Sequence, residues 1–164
     1  MKAAVDPLSS SRKELAVSDY QTFHAACLDP TAIAATPGDL IIAAREPMAL
    51  MGFEPDHLGI LPTGAPLFVE AATPSLRASV RRHCFGLGAP SAFRTALAER
   101  MSLPMLTPDE QRAARREIDA WIAGYTLVRL RPHPPEMTPI EDRIGWLNPP
   151  TGSGRDAPDG QGSR

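Results

Sequence analysis

Aromatic side chains are scarce in this chain of 164 residues, which holds five Phe, two Tyr and two Trp. Alanine and the small aliphatics must therefore fill most of a core. The same scarcity removes the stacking platforms on which single-stranded nucleic acid is held. Cysteine is scarcer still. Two thiols build no disulfide framework, and they suit a reducing compartment. No apolar run approaches the roughly 20 residues that span a bilayer. The opening MKAAVDPLSSSRKELAV lacks the hydrophobic stretch of a secretory signal. The expectation is a cytoplasmic protein without membrane association, bacterial in its richness in Ala, Arg and Pro.

Lysine is missing from the middle of the chain. Residues 73–132 carry ten arginines and no lysine against five acids, a balance of +5, while residues 1–72 stand at −5 and residues 133–164 at −2. Arginine used alone suits planar, bidentate partners such as carboxylate or phosphate. GC-rich coding produces the same bias without any partner. The chain as a whole has a net charge of −2 and an isoelectric point near 6, which argues against a nucleic-acid partner.

The 18 prolines predict short elements with hard stops. Residues 1–17 read as a flexible arm, residues 18–147 as one globular domain, and residues 148–164 as a disordered tail with nothing to bury. Ser18 and Gln21 have the spacing of a capping box, and Tyr20, Phe23 and Cys27 share a helical face, so a helix is predicted from Ser18 to Asp29. Leu40 to Ala44 is a short apolar run that reads as a buried strand in preference to a helix capped by Thr36. HLGILPTGAPLFVEA reads as a hairpin turning at Pro62–Ala65. Three helices are predicted next. The first has Thr73 as cap, Pro74 at its first position and Leu76, Val80 and Cys84 as its stripe, with Gly86 as terminator. The second runs from Pro90 to Met101 on Phe93, Leu97 and Met101. The third is capped by Thr107 with Pro108 and Glu110, buries Ala114, Ile118, Trp121 and Ile122, and ends at Gly124. YTLVRLR then alternates as a strand, with Val128 and Leu130 inward and Arg129 and Arg131 in solvent. Ile140 to Leu147 is read as a last short helix anchored by Trp146. The order predicts an α+β fold, a small mainly antiparallel sheet with about four helices packed on one face. A mostly helical bundle is the alternative if the strands near 41 and 67 fail.

The chemistry-bearing stretch is RRHCFGLGAPS, residues 81–91. Its plain reading is a helix end: Cys84 continues the apolar stripe, His83 lies near a helix C-terminus where an imidazolium is favoured, and Gly86 caps it. The candidate acid–base residues are His83 and Glu70, the latter at a strand end. A metal reading joins His24 and Cys27 to His83 and Cys84 as a zinc set. Adjacent residues on a helix diverge by about 100°, so one ion rarely takes both His83 and Cys84. No cofactor is predicted. GLGAPS follows a helix and lacks the later acid, which excludes a dinucleotide fingerprint.

With no catalytic constellation evident, the leading expectation is a non-catalytic bacterial accessory or regulatory protein. It would bind an acidic protein or an anionic small molecule through an arginine-rich helical face formed by Arg77, Arg81, Arg82, Arg94, Arg112 and Arg116. The alternative is an enzyme acting on an anionic metabolite, with Arg81 or Arg82 gripping it and His83 as acid or base. A DNA-binding regulator stands third. Nothing in the composition excludes a homo-oligomer.

Overall fold

The computed structural model describes residues 20–49, 60–133 and 147–148. Within them lie six strands, one 3-10 turn and three α-helices. The strands are β1 (Gln21–His24), β2 (Gly38–Ala44), β3 (Met48–Ala49), β4 (Ile60–Leu61), β5 (Pro66–Thr73) and β6 (Thr126–Pro132). The helices are α1 (Leu76–Phe85), α2 (Ala92–Arg100) and α3 (Pro108–Tyr125). Four strands form an antiparallel sheet in the order β1-β6-β2-β5, and β3 pairs β4 as a separate ribbon. The fold is mixed α+β.

Apolar run and strand coincide at β2. It is flanked on both sides, by β5 and β6, so it is buried nearly throughout, as a continuous rather than alternating run requires. The register places Leu40 opposite Leu130 and Ile42 opposite Val128, with Phe68 facing Ile42 across the other edge. These side chains share one core with Leu76, Val80 and Cys84 of α1, Phe93 and Leu97 of α2, and Ile118 and Ile122 of α3. The helix stripes expected from the sequence are thus the buried ones, except that Trp121 and Met101 are only partly covered.

Several expectations give way. Residues 21–24 form an edge strand and not a helix, with Ala25–Cys27 as a 3-10 turn, so three α-helices are described rather than about four. The free edge of β6 wins the segment: Phe23 sits opposite Val128 and Gln21 opposite Leu130. A four-residue strand gains its hydrogen bonds from that neighbour, which local helical spacing does not register. The Pro62–Ala65 turn forms, but β4 and β5 do not pair with each other. Gly64 donates to the carbonyl of Ala44, and Ala44 donates to that of Ala65, which docks the turn on β2 and sends β5 along it.

The cap of α1 is Ser75, whose hydroxyl accepts from the Ala78 N–H, while Thr73 is the last residue of β5, paired with Gly38. The cap of α2 is Ser91 and not Pro90. The capping box of α3 forms as its sequence requires, though the helix runs one residue past Gly124. At the tail, Leu147 donates to the Leu67 carbonyl, and the Asn148 side chain both accepts from and donates to Val69. These two residues cover part of the outer edge of β5, which would otherwise offer unpaired backbone groups. Asn148, expected in the disordered tail, is therefore pinned. The arm, the rest of the tail and the expected helix up to Trp146 lie outside the described residues.

Candidate functional site: a polar relay beside a cleft

α1 carries two stripes. Leu76, Val80 and Cys84 enter the core, and Ser79, Arg82 and His83 form a polar stripe beside it, at the three- and four-residue spacing that puts side chains on one side of a helix. Glu70 of β5 stands opposite Leu40 in the sheet register and so points toward α1. It receives the whole polar stripe: Ser79 Oγ donates to Oε2, Arg82 Nη2 donates to Oε1, and His83 Nε2 lies 3.0 Å from Oε2. Burial raises the affinity of Glu70 for a proton, but the hydrogen bonds from His83 and Ser79, with the positive charge of Arg82, pull it further the other way, to about 2. Glu70 is an anion at neutral pH.

That charge fixes the tautomer of His83. Its Nε2 stands between Glu70 Oε2 at 3.0 Å and Arg82 Nε at 3.2 Å. One ring nitrogen cannot donate to the first and accept from the second at once. An ionised carboxylate only accepts, so Nε2 carries the proton and donates to Glu70, and Arg82 holds the same carboxylate through Nη2. The other nitrogen, Nδ1, lies 2.7 Å from Ser91 Oγ. In the neutral ring Nδ1 is an acceptor, and the Ser91 hydroxyl donates to it. Ser91 Oγ also accepts from the Arg94 N–H as the cap of α2. His83 is 3% exposed, and Phe68 packs against its ring at 4.7 Å between centroids, so the relay Glu70–His83–Ser91 is held rigidly.

Ser91 lines a cleft of about 320 Å³ between the loop from Gly86 to Pro90, α2 and α3. Gln111, Arg115 and Ile118 of α3 line it too, with Met105. Arg115 is exposed and donates to the Phe85 carbonyl at 3.3 Å through Nη2. Arg94 also lines the cleft, but its guanidinium is engaged with Asp119 at 2.5 Å and with the Cys84 carbonyl at 3.2 Å. Gly86 ends α1 in the left-handed region at φ 61°, and a Cβ there would lie 2.9 Å from Arg94 Nε. Glycine is thus required both by the backbone and by the arginine laid against it.

The arginines singled out from the sequence do not form one face of free cations. Arg82 and Arg94 are held internally, Arg77 donates Nε to the Ile33 carbonyl at 2.7 Å, and Arg112 pairs with Asp109 one turn earlier. Arg81 and Arg116 are exposed and meet no partner among the described residues. Arg131, expected in solvent, is 5% exposed: it donates through Nε and Nη2 to Asp39. The zinc set is not assembled. His24 and Cys27 are exposed near β1, and both nitrogens of His83 are engaged with Glu70 and Ser91. Among the described residues no group of three His, Cys, Asp or Glu is placed to share an ion. Burial pushes the Cys84 thiol up to about 12, against a smaller opposing effect of Arg94, so it is an inert part of the core.

Compared with known proteins, the chain matches no family model, no curated protein and no solved structure. The functional reading therefore rests on the site alone. Sequence reasoning reached Glu70 and His83 separately and missed Ser79, Ser91 and Asp119. Ser79 was available as the residue four before His83. Ser91 was hidden by assigning the start of α2 to Pro90. No helix of the described residues is long and apolar enough to cross a membrane.

Proposed function

We propose that this is an accessory or regulatory protein that binds an acidic partner, a protein segment or an anionic small molecule, in the cleft between the 86–90 loop and α3. The observation that carries the reading is Arg115 on the wall of that cleft. Of its five N–H donors one hydrogen bond is made, to the Phe85 carbonyl, and the guanidinium remains exposed. Gln111 lies one turn before it on the same wall, and Arg112 lies three residues before it, on the neighbouring side. The N-terminal end of α2 adds partial positive charge at Ser91. A carboxylate entering here meets donors in fork geometry and apolar lining from Ile118, Met105 and Ala98. The reading keeps the anionic partner expected from the +5 block and moves the contact from a broad face to one cleft, because Arg82 and Arg94 already have carboxylate partners.

The test is a titration of the ¹⁵N-labelled full chain with a Glu-rich peptide, followed by NMR, with the Gln version of the peptide as control. Amide shifts confined to residues 86–95 and 111–118, weakened by salt and absent in Arg115→Glu, are expected. Equal response to both peptides, or shifts elsewhere, overturns the reading.

A further inference from the structure

The relay ends on the hydroxyl of Ser91, a residue that lines the cleft, and that placement has chemical content beyond binding. We infer that Ser91 is a nucleophile toward acyl esters that carry a carboxylate, with His83 as its base and Glu70 as the positioning residue. The inference rests on the anion-binding reading of the cleft for its substrate class, and on the relay for its chemistry.

Three observations point the same way. The hydrogen bonds run without a break from an anion through an imidazole to a hydroxyl, at 3.0 and 2.7 Å. Such a chain holds the imidazole with its acceptor nitrogen turned toward the serine hydroxyl. The direction is fixed by Glu70: its charge places the ring proton on Nε2 and leaves Nδ1 to take the proton of Ser91. The nitrogens are exchanged relative to the common serine-hydrolase arrangement, which leaves the proton path unchanged. Finally, Ser91 caps α2, so an acyl group bonded to its oxygen lies near the positive end of a helix, where negative charge on the acyl oxygen is favoured, and Arg115 lines the same cleft.

Ser91 Oγ forms a bond to the acyl carbon, and its proton passes to His83 Nδ1. The bond from the acyl carbon to the leaving oxygen breaks, and Nδ1 returns that proton to the departing alkoxide, which leaves as an alcohol. Water then attacks the acyl–Ser91 ester, gives its proton to Nδ1, and releases the free acid as Ser91 recovers its hydrogen. The carboxylate of the substrate lies on Arg115 throughout. No group beyond water and the ester is needed.

The experiment uses the full chain and two probes. A fluorophosphonate, which forms a phosphoryl–serine bond with loss of fluoride, is incubated with the protein, and the adduct is located by peptide mapping. In parallel, hydrolysis of the mono-4-nitrophenyl ester of glutarate is compared with that of 4-nitrophenyl acetate. Adduct on Ser91, with the glutarate ester turned over in preference to the acetate, is the expected result. Ser91→Asn keeps a good helix cap while removing the nucleophile, and it should lose both adduct and turnover by at least about 100-fold. Glu70→Gln should shift the pH profile of turnover as well as lower it, which a merely structural role would not do. No adduct on Ser91 in the folded wild-type chain overturns the inference, and the Glu-rich peptide titration shows whether the binding reading survives it. Adduct on Ser91 without preference for the anionic ester overturns the substrate class, and with it the role of Arg115.

Discussion

Asp39 and Arg131 face each other across β2 and β6, and both Nε and Nη2 of Arg131 donate to one carboxylate oxygen, at 3.1 and 2.6 Å. Asp39 has no exposed surface, His133 Nε2 lies 2.6 Å from the same oxygen, and the second oxygen accepts from the Ala72 N–H at 2.8 Å. The pair ties the last strand to the second, and the His133 N–H closes the same end by donating to the Pro37 carbonyl.

Removing one partner of this pair leaves a buried charge. Arg131→Leu is expected to cost about 3–5 kcal/mol, a large share of the stability of a domain this size. Asp39→Val with Arg131→Leu should cost clearly less than the two single changes summed. Urea denaturation of the four proteins in a double-mutant cycle reads the difference, and additive losses would show that the pair is not coupled.

Glu70 sets an acid dependence. Its folded proton affinity lies at about 2, below the ordinary carboxylate value of 4.5, so the folded state binds fewer protons than the unfolded chain between those pH values. The stabilisation is fully present above pH 4.5 and is lost as pH falls toward 2. Glu70→Gln should remove that part of the slope. Chemical denaturation of both proteins between pH 6 and 2.5 is the check, with the wild type losing more over the interval.

Gly86→Ala places a Cβ in the left-handed region and against Arg94. The expected loss is about 1–3 kcal/mol in thermal unfolding. A loss no greater than that of an exposed surface change would mean the loop relaxes away from the arginine.

The arginines should separate into two classes on substitution. Arg94→Met, which strips the Cys84 carbonyl and Asp119 of a donor, should cost about 2–3 kcal/mol. Arg116→Glu, in solvent, should stay within about 0.5 kcal/mol of wild type. Equilibrium unfolding in urea distinguishes them, and equal effects would mean that the buried arginine is dispensable.

The helical half of the protein was legible in the sequence because helices carry their own instructions. The stripe Leu76–Val80–Cys84, the terminator Gly86 and the Thr107–Glu110 box all act within a few residues of themselves, so spacing and capping chemistry suffice. The strand at Leu40–Ala44 was legible for a related reason: a short continuous apolar run suits a strand covered on both sides. The segment at Gln21–His24 was not legible. Its spacing fits a helix, and what makes it a strand is the exposed edge of β6, more than 100 residues away in the chain.

The candidate site divides in the same way. Composition and order alone determined an α+β chain with a cationic, lysine-free middle and a glycine-ended helix bearing His83. The tertiary structure alone decided which of those charges are available. Arg82, Arg94 and Arg131 look alike in the sequence as exposed cations, yet each is matched to a carboxylate brought from another element: Glu70, Asp119 and Asp39. A carboxylate's partner is chosen by distance in space, and space is set by how β5, α3 and β2 pack. For the same reason the line from Glu70 through His83 to Ser91, spanning a strand, a helix and the cap of the next, exists only once the sheet has placed α1 against α2.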